Sequence, residues 1–371
     1  MAISIETSRR IAMLRFPLII GVVFIHAYGF KVSLANGSLG LFQMHPLVVF
    51  IEDYISQVLA RICVPLFYLI SGFLFFVSYG GTAKQYLVKI RSRVRTLLIP
   101  FLFWNILSMA LLALAQSNPC TSNYFSGTFT PILSFGPYDF LNAVFGLTRS
   151  PVAYQFWFIR DLMILVLLSP VFYFLMRYFA WTTLLLLMCA WMTGFCFISM
   201  PSSEATLFFF IGGTLACYGM NLDVNNRVGR WAFLIYIVIS LIDVVSKHTM
   251  ININVYVHNV GIFVGTISVI WLAGLFVRIN NDGHKPRWFV KKYVRILKLL
   301  SPVAFFVFAA HEPLLTVIKK LGFYIYKPSN SFAVLALYLI APVLTMLICI
   351  FIYFIIRRTM PVFTHIICGG R

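Results

Sequence analysis

Apolar residues in this chain gather in long uninterrupted runs, not in the alternating or every-third-position patterns of half-exposed strands and helices. Runs of roughly 17 to 25 apolar residues suffice to cross a bilayer core of about 30 Å as helices. They are read at 11–30, 57–79, 96–115, 156–177, 180–199, 205–221, 231–247, 256–278, 300–321 and 332–356. The pattern predicts an all-α polytopic membrane protein with about ten transmembrane helices and no separate soluble domain, so that 1–371 reads as a single transmembrane domain. The first run carries Arg15, exceeds the usual apolar core of a signal peptide and lacks a small-x-small cleavage site, so it is expected to remain as a permanent helix.

Composition agrees: 61% of the residues are hydrophobic, 17% aromatic and 11% charged, which excludes an ordinary soluble domain. The net charge of +19 would point to nucleic acid in a soluble protein, but here its placement explains it. Arg9, Arg10 and Arg15, then Lys84 to Arg95, then Arg177, Arg227 and Arg230, then Arg278 to Lys298, then Arg357, Arg358 and Arg371 all fall on one side of the predicted spans. On the other side, the loop 116–155 has Arg149 as its only Lys or Arg, and Lys319, Lys320 and Lys327 form the one notable cluster. The positive-inside rule then places both termini in the cytoplasm, and no nucleic-acid partner is expected.

Two excursions interrupt the spans. The loop 116–155 is predicted to include a short interfacial helix at Tyr138 to Leu147. In "RINNDGHKPRWFVKKYVRILK", Trp288, Phe289, Tyr293 and Ile296 separate the cations as an interfacial amphipathic helix does, which suits anionic lipid head groups. Cys63, Cys189, Cys196, Cys217 and Cys349 lie in or beside apolar runs and Cys120 stands alone in the outer loop. Neither a disulfide framework nor a metal site is expected.

Ionisable groups at membrane depth are costly and face a cavity or a partner. In "LRFPLIIGVVFIHA", Arg15 and His26 stand eleven positions apart, close to three helical turns, so both leave one helix face about 16 Å apart along the axis. Such a face suits a protein that grips an anion at one end and moves protons at the other. A snorkelling arginine with a histidine bonded inside the bundle would give the same pattern.

The Arg, ten residues, His spacing resembles the signature of the acyltransferase-3 family of membrane acyltransferases, and further segments follow in that family's order. "VPLFYLISGFLF" at 64–75 looks like its second-helix Ser-Gly-Phe segment, followed by a basic run and "VRTLLIPFLFWN" at 94–105. "FWFIRDLMILVLLSPV" at 156–171 is similar to its Trp-Phe helix, and "AFFVFAAHEPLL" at 304–315 to its late histidine segment. Phe16 stands where the family usually has glycine, Pro17 follows it, and Ala12 replaces a common aspartate; these departures bear on the shape of the first helix. The esterase-like extracytoplasmic domain of some relatives is not expected, because the sequence closes soon after its tenth run.

The resemblance implies transfer of an acyl group, most often acetyl from acetyl-CoA, to a hydroxyl of a surface polysaccharide or lipid-linked glycan at a bacterial inner membrane. Arg15, Arg91, Arg93 and Arg95 offer guanidinium groups to the donor's phosphates, and Ser71 and Gly72 would let its pantetheine arm pass close to the backbone, unless they serve helix packing. Toward the outer half, His26 is the expected general base. Glu312 or His311 would orient it or share its proton, and Arg160 or Arg61 would stabilise charge or hold the acceptor, with Trp157 and Asp161 in the acceptor-binding set. Direct transfer and an acetyl-histidine intermediate both fit. Arg160 and Asp161 also read as a rim ion pair, and His311 and Glu312 as a packing pair. His45, His248, His258, His284 and His365 receive no role. A competing class is a transporter or flippase for a polar solute or lipid-linked sugar, in which the same charges line a path; the lack of an inverted repeat speaks against it.

Overall fold

The computed structural model describes residues 3–34, 37–41, 43–122, 130–195, 199–281 and 288–370. Of the residues named above, Cys196, His284 and Arg371 lie outside the described set, as do the side chains of Trp288 and Phe289.

Helix α1 (Ile5–Ala27) leads into two short antiparallel strands, β1 (Lys31–Leu34) and β2 (Gly37–Gly40). Helix α2 (Pro46–Glu52) runs on through a π-helical stretch, Asp53–Leu59, and a tight turn, Ala60–Ile62, into α3 (Cys63–Phe76). Helix α4 (Ala83–Arg93) likewise continues through π-helical Val94–Leu98 into α5 (Ile99–Ser117). The one-turn α6 (Pro119–Ser122) and the short α7 (Pro137–Phe145) precede α8 (Trp157–Leu167), α9 (Ser169–Tyr178), α10 (Ala180–Thr193), α11 (Ser203–Cys217), α12 (Asn226–Thr249) and α13 (Ile251–Asn281). The chain ends with α14 (Trp288–Leu300), α15 (Ala304–Tyr326), α16 (Ser331–Thr359) and α17 (Pro361–Ile367).

Among the described residues, six helical segments are long and apolar enough to cross a membrane, and up to eight if each of two interrupted pairs counts as one span. Pro170, which cannot donate a backbone hydrogen bond, marks the break between α8 and α9. Apolar α10 and α11 have 14 and 15 residues. Pro17 does not interrupt α1, which stays helical from Ile5 to Ala27. A short helix, α7, stands where one is expected at 138–147.

The chain divides into two compact units. The first comprises Met1–Val22, Gln57–Ser92 and Asp161–Ala304. In it α3 crosses α11 closely: a Cβ on Gly72 would strike the carbonyl oxygen of Phe209, and one on Gly212 that of Leu69. Small residues let backbones approach where lipid supplies no hydrophobic drive between helices. Arg10, counted above among loop charges, is 2% exposed here, 3.2 Å from Glu6 and 2.8 Å from Asp223, and Arg278 binds the same Asp223 at 2.9 Å. A buried guanidinium needs such partners. His258 Nδ1 lies 2.8 Å from Asp243, so it too has a structural partner.

The second unit comprises Val23–Ser56, Arg93–Arg160 and Phe305–Arg371. The β-hairpin, absent from the sequence expectation, packs Val32 against Phe323 and Val334. Aromatic rings tie its segments together: Phe156 meets Phe308 at 5.4 Å and Phe101 at 5.9 Å, and Trp104 meets Phe306 at 5.4 Å.

Candidate active site

The polar centre of the second unit forms around a break in α15. A residue preceding proline is pushed out of the α region, and proline has no N–H. Glu312, before Pro313, accordingly has φ −110° and ψ 134° inside an otherwise helical segment. The missing N–H of Pro313 leaves the carbonyl of Ala309, four residues earlier, without its helical donor. Gln155 fills the gap: its Nε2 donates to Ala309 O at 3.0 Å and to Glu312 O at 3.3 Å. One buried amide thus compensates a helix break that would otherwise leave a buried carbonyl unpaired.

The break sets His311 and Glu312. The imidazole Nδ1 of His311 lies 2.7 Å from Phe308 O and 3.2 Å from Val307 O. Carbonyls only accept, so Nδ1 carries the proton, and the lone pair of the neutral ring sits on Nε2. That Nε2 is buried with no hydrogen-bond partner among the described residues. Glu312 Oε1 accepts from the Tyr154 hydroxyl at 2.9 Å, and Oε2 accepts from Thr316 Oγ1 at 2.7 Å.

His26, in the last turn of α1, joins this group. Its ring lies 5.2 Å from that of His311 and 4.9 Å, edge to face, from that of Tyr154. Three contacts hold that turn in place. Lys319 Nζ donates to the carbonyls of Ala27 at 2.6 Å and Tyr28 at 3.1 Å, which satisfies the helix end and places a cation at its negative pole. Ser56 Oγ donates to Phe24 O at 2.6 Å, so the Tyr338 hydroxyl, 2.8 Å away, donates to Ser56. Beyond the helix, Tyr28 bonds Asp53 at 2.9 Å, and Gly29, at φ +118°, turns the chain where a side chain would be strained and offers its N–H to Glu52. Lys319 lies in the fields of both Glu52 and Glu312.

The structure thus brings His26, His311 and Glu312 together, with Tyr154 linking His26 to Glu312. Arg160 donates from Nη1 to Gly146 O at 2.7 Å and to Arg149 O at 3.3 Å, which pins the loop after α7. Half-buried Trp157 makes no hydrogen bond or ring contact among the described residues. Asp161 and Arg61 belong to the first unit: Asp161 accepts from Ser202 N at 3.1 Å, and Arg61 bonds Gln57 within electrostatic reach of Glu204. Arg15 is exposed, Gly72 has the packing contact described above, and Ser71 beside it is half-buried. Arg91 lies on α4 in the first unit and is exposed, and Arg95, also exposed, lies in the π-helical stretch of the second.

Sequence reasoning missed Glu52, Asp53, Tyr154, Gln155, Lys319 and Tyr338. The chain has only ten acidic residues, so Glu52 and Asp53 beside an apolar run carried a usable clue. Lys319, seven residues after Glu312, carries the spacing of two helical turns in the sequence. Tyr154 and Gln155 offered no local clue.

A family model described as an acyltransferase domain of the acyltransferase-3 type matches residues 9–354. The chain is 24% identical over 378 residues to the succinoglycan biosynthesis protein ExoH of Rhizobium meliloti (strain 1021), covering 99% of this chain and 93% of the relative. No solved structure gives a significant match.

Proposed function

Because the chain belongs to the acyltransferase-3 family, a family of membrane acyltransferases, we propose that it moves an acetyl group from cytoplasmic acetyl-CoA to a hydroxyl of a surface polysaccharide or its lipid-linked precursor. The name of its relative, a succinoglycan biosynthesis protein, supports the polysaccharide acceptor. In this reading the protein spans a bacterial inner membrane ten times with both termini in the cytoplasm. The one-sided distribution of Lys and Arg supports that topology, with α10 and α11 as short spans.

The observation that carries the reaction is the pair of imidazoles at 5.2 Å, one of them with its tautomer set by backbone carbonyls. His26 takes the proton of the acceptor hydroxyl as the oxygen attacks the thioester carbonyl, and His311 Nε2 shares that proton. The C–S bond breaks and the proton leaves with the thiolate of CoA. Tyr154, anchored by Glu312, forms the wall that orients His26. Arg160, holding the loop after α7, keeps the acceptor side ordered, and Trp157 offers the acceptor an apolar face. Arg15 and Arg91, both in the first unit, supply guanidinium groups for the donor's phosphates.

The test uses purified protein in lipid, acetyl-CoA labelled in the acetyl group, and a membrane fraction rich in lipid-linked glycans, comparing the unmodified chain with His26→Ala. Label is expected in glycan with the unmodified chain and lost with the variant. A thioester left intact by both proteins across several donors and acceptors would favour a transporter, and equal transfer by both would remove His26 from the chemistry.

A further inference from the structure

In the first unit, the ends of α3, α9 and α11 enclose a cleft of about 250 Å³. Tyr79 and Tyr173 line it with rings 5.2 Å apart, edge to face, and Tyr218, 52% exposed, lines it too. Met176 and Cys217 contribute their sulfur atoms, 3.9 Å apart. Arg177 completes the lining. Among the described residues its guanidinium makes no hydrogen bond or ion pair, and none of the three tyrosine hydroxyls makes a hydrogen bond. Lys89 lies on the same side of the unit, bonded to Ser78 Oγ at 2.9 Å, next to the lining residue Val77.

Flat aromatic rings with phenol hydroxyls and a guanidinium that have no hydrogen-bond partner among the described residues form a chemical set with a specific complement. It is a flat heteroaromatic base with ring nitrogens to bond and a phosphate at its edge. A purine base fits the volume; a whole acyl-CoA does not, and its pantetheine arm would have to leave the cleft. Arg177 also belongs to the basic side that the positive-inside rule assigns to the cytoplasm, where acyl-CoA is found.

We propose that this cleft binds the adenine nucleotide end of the acyl-CoA donor, with the tyrosines against the base and Arg177 on a phosphate. The assignment rests on the acyl-CoA-dependent reading above. An anionic lipid head group would share the phosphate but not the base.

The experiment photolabels the full chain in lipid nanodiscs with 8-azido-coenzyme A and maps the modified peptides, while transfer is measured on the same preparation. Label is expected on residues 173–179 and 216–220 and is displaced by excess acetyl-CoA or by adenosine 3′,5′-bisphosphate. Arg177→Gln and Tyr218→Ala, both at exposed positions, are expected to raise KM for acetyl-CoA about tenfold with kcat within about twofold. Label confined to other segments while transfer proceeds would overturn the cleft and leave the reaction standing. Label displaced by anionic lipid but not by the bisphosphate would assign the cleft to a head group and overturn the proposal. Absence of both label and transfer would overturn the cleft and the acyl-CoA reading together.

Discussion

His26 and His311, 285 positions apart in the chain, face each other with ring centroids 5.2 Å apart, and the proton of His311 is held on Nδ1 by two backbone carbonyls. That leaves the lone pair on Nε2, where the proposed transfer would use it without a change of tautomer.

Replacing His311 by Asn separates these two functions. The Asn side-chain amide can still donate to Phe308 O, but nothing takes the place of Nε2. Transfer is expected to fall about 10²- to 10⁴-fold with little change in thermal stability. Activity near the unmodified level in single-turnover assays would show that His311 is a packing residue.

Gln155 is expected to matter because Pro313 is there. Gln155→Leu leaves the Ala309 carbonyl buried and unpaired, at a cost of about 1 to 3 kcal/mol. In a Pro313→Ala background, where a backbone N–H becomes available, the same change is expected to cost less. Thermal unfolding of the two single variants and the double variant in one detergent measures the coupling.

Lys319 caps the helix end next to His26 and lies in the fields of Glu52 and Glu312. Lys319→Met removes a charged donor from two carbonyls and leaves two carboxylates without their cation, so a loss of about 1.5 to 3 kcal/mol is expected together with loss of transfer. Lys319→Arg should recover stability in part. A variant that melts and reacts like the unmodified protein would exclude a role for this cap.

Gly72 and Ser71 permit a direct choice between packing and passage of the donor. Since a Cβ on Gly72 would meet the Phe209 carbonyl, Gly72→Ala is expected to lower the thermal midpoint while KM for the acyl donor in the surviving folded fraction stays within about twofold. A raised KM with unchanged stability would favour passage.

The Asp223 site predicts a dependence on pH. Burial disfavours its charged form, but hydrogen bonds and charge from Arg10 and Arg278 outweigh this and hold its carboxyl below the usual value. A depressed folded-state pKa contributes stability above the unfolded value that disappears as pH falls through the folded one. Asp223→Asn should therefore lower the thermal midpoint at neutral pH, and the gap from the unmodified chain should close below the usual carboxylate range. Because the Asp223 side chain is 51% exposed, the gap should also shrink with added salt. A gap independent of pH would assign the effect to packing.

By itself the sequence determined the all-helical membrane class, the short helix within the loop 116–155, and the family. The class follows from run length against bilayer thickness, and the family from the resemblance of several segments in order. The tertiary structure decided which groups meet. Tyr154 reaches Glu312 across 158 positions and Lys319 reaches Ala27 across 292, distances over which no periodicity carries information. Arg10 looked like a loop charge and is buried, because its partner Asp223 lies 213 positions away. The hairpin was hidden for the same reason: two four-residue strands are too short to stand out by pattern, and Val32 is held by Phe323 and Val334, which only the fold brings to it.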